Sequence, residues 1–94
     1  MIELGGNITL NGFQDRDYAE LIVVKKIVGR YARQISDQYA GFQGLTITLS
    51  PREANYLVAV SCIVKEHRKE AVALEKNLFV ALDAAMKKVV QQLE

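Results

Sequence analysis

Two stretches of this 94-residue chain carry apolar residues at helical spacing, and the segment between them carries apolar residues in alternation. Leu21, Val24, Val28, Tyr31, Ile35 and Tyr39 form one stripe, and Leu78, Leu82, Ala85, Met86, Val89 and Leu93 form the other. A helix with a single apolar stripe must bury that stripe against another layer. Two such helices around a run of strands leave few architectures, and one face of a single sheet satisfies both stripes.

The strands are read from period-two alternation. Ile2, Leu4, Ile8 and Leu10 read as one opening strand with a bulge at Gly5-Gly6, followed by an Asn11-Gly12 turn. Asp15 or Asp17 starts the first helix, which Gly41 and Gly44 end. Leu45, Ile47 and Leu49 alternate with Thr46, Thr48 and Ser50 in a half-buried strand. After the polar turn from Ser50 to Asn55 comes a strand over Tyr56 to Val64. Its Val58, Val60 and Cys62 share one face, and Leu57, Ala59 and Ile63 share the other. Lys65-Glu66-His67-Arg68 reads as a hairpin connection, Lys69 to Glu75 as a shorter strand, and Asn77 as the cap of the last helix. The expected fold is one α+β domain over residues 1–94. It is a two-layer sandwich ordered strand-helix-strand-strand-strand-helix, with two helices on one face of a four-stranded sheet.

Composition narrows the function by exclusion. A formal charge of +1 means that any polyanion binding rests on where the cations sit, not on their sum. The single cysteine, Cys62, rules out an internal disulfide and a cysteine-based zinc site, and it fits a reducing compartment. The start, Met1-Ile2-Glu3-Leu4-Gly5-Gly6, lacks a basic segment followed by an apolar run, and no stretch approaches ~20 apolar residues. The expectation is a cytoplasmic protein without a membrane span. His67, the only histidine, has no second histidine to share a metal; Ser50 and Ser61 lack a nucleophile elbow; the carboxylates are scattered among lysines and arginines. No catalytic residue, metal site or cofactor is expected, and the chain reads as a non-enzyme.

The placement of basic groups is the remaining signal. At ~100° per residue, Lys26, Arg30 and Arg33 lie opposite the apolar stripe of the first helix, with Asp37 one turn further on the same face. Lys65, Arg68 and Lys69 cluster at the hairpin, and Lys87 and Lys88 lie on the last helix. Cations held on rigid elements contact phosphates and displace condensed counterions. The same pattern also describes an ordinary solvated face.

The element order, the Ile8-Thr9-Leu10 strand ahead of an acid-started helix, and the run Asn77-Leu78-Phe79-Val80-Ala81-Leu82-Asp83 continuing to Lys87-Lys88-Val89-Val90-Gln91-Gln92-Leu93 resemble the ribosome hibernation-promoting factors. These are also called ribosome-associated translation inhibitors or protein Y-like proteins. The likeness covers nearly the whole chain in element order and the last helix in sequence. It implies a protein that occupies the decoding region of the small ribosomal subunit and represses translation by steric occlusion. Basic residues of the two helices would contact ribosomal RNA. On this chain those positions are Lys26, Arg30 and Arg33 on the first helix and Lys87 and Lys88 on the last, with Arg68 of the hairpin assisting. A second reading belongs to a different class: a protein–protein interaction module or homodimer that buries Leu57, Ala59 and Ile63 on the open sheet face.

Overall fold

Capping and alternation set the elements where the residues demand them. The computed structural model describes residues 2–4 and 7–94, so the expected bulge at Gly5-Gly6 lies outside the described residues. Seven elements follow in order: β1 (Ile2–Leu4), β2 (Ile8–Asn11), α1 (Tyr18–Gln38), β3 (Phe42–Pro51), β4 (Tyr56–Val64), β5 (His67–Glu75) and α2 (Leu78–Leu93). Asp17 caps α1, its carboxylate accepting from the backbone N–H of Ala19 at 3.4 Å. Asn77 caps α2, its Oδ1 accepting from Phe79 at 2.8 Å and Val80 at 3.1 Å. Each cap satisfies N–H groups that no preceding turn can reach.

Among the described residues the sheet has five strands, in the order β1-β2-β3-β4-β5, where the sequence pattern suggested four. The difference is at the start. β1 and β2 are two separate strands that pair antiparallel, with Ile2 opposite Leu10 and Leu4 opposite Ile8. Next, β2 pairs in parallel with β3, Ile8 beside Leu45 and Leu10 beside Ile47, with α1 as the crossover. β3, β4 and β5 form the expected antiparallel meander. Gly44 does not end the helix: it lies inside β3, where the register with β4 shifts between Phe42 and Gly44. The β4–β5 connection is also tighter than expected, because His67 and Arg68 already belong to β5. Lys65 takes a left-handed φ of 58° to make that turn and donates its N–H to the Gly41 carbonyl at 2.6 Å.

Both helices lie on the sheet face formed by Leu10, Leu45, Ile47, Leu49, Val58, Val60, Cys62 and Ala73, all buried. α2 covers β4 and β5, and α1 packs on α2 and β3. The helical stripes complete this core with Val24, Val28, Tyr31, Ala32 and Ile35 from α1 and Leu78, Ala81, Leu82, Ala85, Met86, Val89 and Val90 from α2. Cys62 is fully buried, and burial pushes its thiol up to about 11, so it behaves as a small apolar side chain.

The segment between β2 and α1 is anchored at three points. Gly12 turns the chain at φ +83°, where a Cβ would collide with the Leu49 carbonyl oxygen, so the loop runs directly against β3. Phe13 is fully buried in the core. Arg16 pairs with Glu20 at 2.7 Å, reaches the Tyr56 hydroxyl at 3.4 Å and lies over the Tyr56 ring at 5.2 Å, tying the approach of α1 to the start of β4.

Candidate nucleic-acid interface

Because α1 buries Val24, Val28, Tyr31 and Ile35, its opposite side must face outward. Lys26, Arg30 and Arg33 are exposed there, as their spacing predicts. Lys87 is exposed on α2, beside the seam between the helices. What joins the two helices at this point is Asp83, which the sequence pattern did not single out as a functional residue.

The Asp83 carboxylate collects three groups. Its Oδ1 accepts a 2.6 Å hydrogen bond from the Tyr31 hydroxyl across the seam. Arg30 Nη2 lies 3.6 Å from the same oxygen, and Lys87 Nζ lies 3.2 Å from Oδ2, one turn along α2. The Arg30 guanidinium also sits over the Tyr31 ring at 5.3 Å. The hydrogen bond from Tyr31, helped by Lys87 and Arg30, holds the Asp83 carboxyl below its ordinary range against some desolvation. Burial, reinforced by the bond to Asp83, pushes the Tyr31 hydroxyl up to about 12. Asp83 therefore stays ionised and anchored from below by a neutral phenol. It draws one cation from each helix onto a common surface. Lys26 and Arg33, on either side of Arg30 along α1, make no ion pair among the described residues.

This geometry separates the six expected contact residues. Lys26, Arg30, Arg33 and Lys87 share the outward surface of the helix layer. Lys88 lies about 100° round α2 from Lys87, and its Nζ donates to the Val72 carbonyl of β5 at 2.9 Å. Gln92, one turn later, donates to the Glu70 carbonyl at 2.7 Å. Lys88 thus serves the sheet edge and not the interhelical surface. Arg68 lies on the opposite side of the sheet altogether: it pairs in register with Ile63, is in phase with Glu70 and Val72, and sits 3.8 Å from Glu70. Lys69, in phase with the buried face, instead lines a groove of about 450 Å³ at the C-terminal ends of both helices, with Tyr39, Lys65, His67, Gln92 and Leu93.

Apolar residues flank these cations on both helices. Val23 and Val80 are exposed, while Ile27 and Phe79 are half-buried. Among the described residues no cluster of histidine, cysteine, aspartate and glutamate has the makings of a metal site, and no helix is long and apolar enough to cross a membrane. The surface offers fixed cations around one anchored carboxylate.

The Tyr31–Asp83 bond has a measurable pH signature. An unfolded tyrosine ionises near pH 10, and the folded Tyr31 near 12. Between those values the native state keeps a proton that the unfolded state has lost, so stability falls as pH rises through that window. The expected loss from this residue is about 2 kcal/mol by pH 12, given that a full unit corresponds to ~1.4 kcal/mol. Denaturant unfolding from pH 9 to 12 checks it. Tyr31→Phe should lose about 1–2 kcal/mol at neutral pH and show a shallower alkaline decline than the parent. Parallel declines would remove Tyr31 as the source.

No family model matches the chain, and no curated protein matches it in sequence. Solved structures do match in fold. A ribosomal subunit interface protein from Coxiella burnetii superposes with a TM-score of 0.68 at 16% identity, over 93% of this chain and 90% of that one. The N-terminal domain of protein Y from Thermus thermophilus superposes with a TM-score of 0.68 at 15% identity, over 92% of this chain and 91% of that one. At such identities the likeness establishes the fold, the one that the resemblance in the sequence implied.

Proposed function

We propose that this chain is a ribosome-associated protein that acts by occupancy, laying its helix layer on ribosomal RNA of the small subunit and repressing translation by blocking the decoding region. The observation that carries the reading is the outward surface of Lys26, Arg30, Arg33 and Lys87, on which Asp83 draws Arg30 of α1 and Lys87 of α2 together. Two structures of the same fold, named for the ribosomal subunit interface and for protein Y, support the choice of polyanion. Phosphate contact from these four side chains positions the domain, and no chemical step is required of it. The apolar flank at Val23 and Val80 lies beside the cations and supplies contact area without charge.

The test is co-sedimentation with ribosomal subunits of the source cells at low salt and then at raised salt. Retention on the small subunit that weakens steeply with salt is the expected result. Absence from every ribosomal fraction at low salt would reduce the likeness to a shared fold.

A further inference from the structure

Where β4 turns into β5, the C-terminal ends of α1 and α2 leave the groove of about 450 Å³. That size lies within the range of small-molecule sites, roughly 300–1,000 Å³. Its charge is one-sided. Lys65 of the turn and His67 and Lys69 of β5 line it, and among the described residues no carboxylate does. Asp37, Glu66 and Glu94, the acids next to it in sequence, are exposed and do not line it. His67 and Lys69 are in phase with the buried Ala73, so both side chains leave the sheet on the helix side. None of the three basic groups makes an ion pair among the described residues. Lys65 starts from a fixed base. Its N–H bonds the Gly41 carbonyl at 2.6 Å, and a Cβ on Gly41 would run into the Lys65 Cγ, so the two turns are pressed together.

Part of this positive charge answers the helix ends. Neither helix has a basic residue in its own last turn. Each C-terminus carries roughly half a negative charge, so the two lysines exceed both ends together by about one charge, before any share from His67. A ligand of opposite sign is the remaining partner.

We propose that the groove binds a nucleoside monophosphate, either free or at the end of an RNA strand. Lysine meets phosphate as a point charge with three donors, whereas a planar carboxylate is best met by an arginine fork. No arginine lines the groove, and the neighbouring Arg68 leaves the opposite side of the sheet toward Glu70. Tyr39 and Leu93, both half-buried, supply an apolar wall from the two helix ends. A base lies flat against such a wall, and stacking on an aromatic ring tolerates every base. Gln38 adds an amide that both donates and accepts toward a base edge. None of Lys26, Arg30, Arg33 and Lys87 lines the groove, so this site stands or falls apart from the outward helix surface.

The experiment is an amide NMR titration of the full chain with AMP at low salt. Adenosine, inorganic phosphate and a short adenylate oligonucleotide ending in a phosphate are the parallel arms. The expected result is shifts centred on Tyr39, Lys65 and Lys69, with a Kd on the order of 1 mM, at least about 5-fold tighter than adenosine or phosphate. Lys65→Gln/Lys69→Gln should weaken AMP about 10-fold or more with unchanged circular dichroism, since glutamine keeps the Cγ that packs on Gly41. Lys25→Gln/Lys76→Gln removes the same charge from exposed positions outside the groove and should leave AMP binding as it is. Tyr39→Leu, which removes the ring and keeps an apolar side chain, should bring AMP toward the affinity of phosphate. No shift at these amides would overturn the proposal. So would an equal loss in the control pair, or adenosine or phosphate binding as well as AMP. AMP binding tighter than the oligonucleotide supports a free nucleotide as the ligand, and the reverse supports an RNA end.

Discussion

Glutamate at both Lys26 and Arg33 is expected to lower affinity for the small subunit on the order of 100-fold at low salt, with no change in fold. Each charge-assisted contact is worth about 1.5 kcal/mol, and ~1.4 kcal/mol is a factor of ten, so losing two gives that magnitude before any repulsion is counted. The salt dependence should change with it. Removing two phosphate contacts lowers the log–log slope by about 1.5 to 2. These two positions give a cleaner result than Arg30, because Arg30 is engaged with Asp83 and a glutamate there would crowd a second carboxylate against it. Lys26 and Arg33 are exposed, so stability should hold within about 0.5 kcal/mol. Lys25→Glu carries a charge change of the same kind on the flank of α1 and serves as the control. Binding assays at three or more salt concentrations read both quantities. Undiminished affinity and slope in the double variant would take α1 out of the interface.

The second large effect concerns the fold. Phe13→Ala should destabilise the domain by about 4 kcal/mol, the usual cost of emptying a fully buried phenylalanine site. In a chain of this size that lowers the melting temperature by roughly 15–30 °C. Phe13 lies in no helix or strand, yet it is among the largest fully buried side chains, and it fastens the segment between β2 and α1 to the core. Phe13→Leu, which keeps most of the volume, should recover most of the loss. Thermal unfolding of the two variants decides the point. A drop of less than about 5 °C in the alanine variant would show that the core closes over the site.

Much of the architecture was legible because local chemistry and global packing agree. Asn77 caps α2 where the apolar stripe begins, and β4 runs over the residues whose alternation marks it, with Val58, Val60 and Cys62 facing inward. The opening strands were not legible, for a geometric reason. Ile2, Leu4, Ile8 and Leu10 keep the same phase whether the chain runs straight or turns back, since Ile2 lands opposite Leu10 and Leu4 opposite Ile8 on the same face. Phe13 gave no signal because a lone aromatic between elements has no period to join.

The site divides in the same way. The α1 stripe follows from helical spacing alone. Asp83 could not be found from spacing, because its partners come from the register between two helices. Lys87 and Lys88 could have been told apart, since adjacent helical positions point ~100° apart. Arg68 would have been assigned to the open face had β5 been started two residues earlier, in phase with Glu70, Val72 and Leu74.

The parallel pairing of β2 with β3 also bears on the order in which the sheet can assemble. Val64 meets His67 across a two-residue turn, whereas Ile8 meets Leu45 only after the whole of α1 has been spanned. The entropy of closing the longer loop exceeds that of the shorter by about 2 kcal/mol. During synthesis β1, β2 and α1 are made first, yet β2 has no sheet to join until β3 is made, and the meander can close from local contacts alone. The cationic helix is thus synthesised before the strands and the helix it packs against, and its docking waits for them.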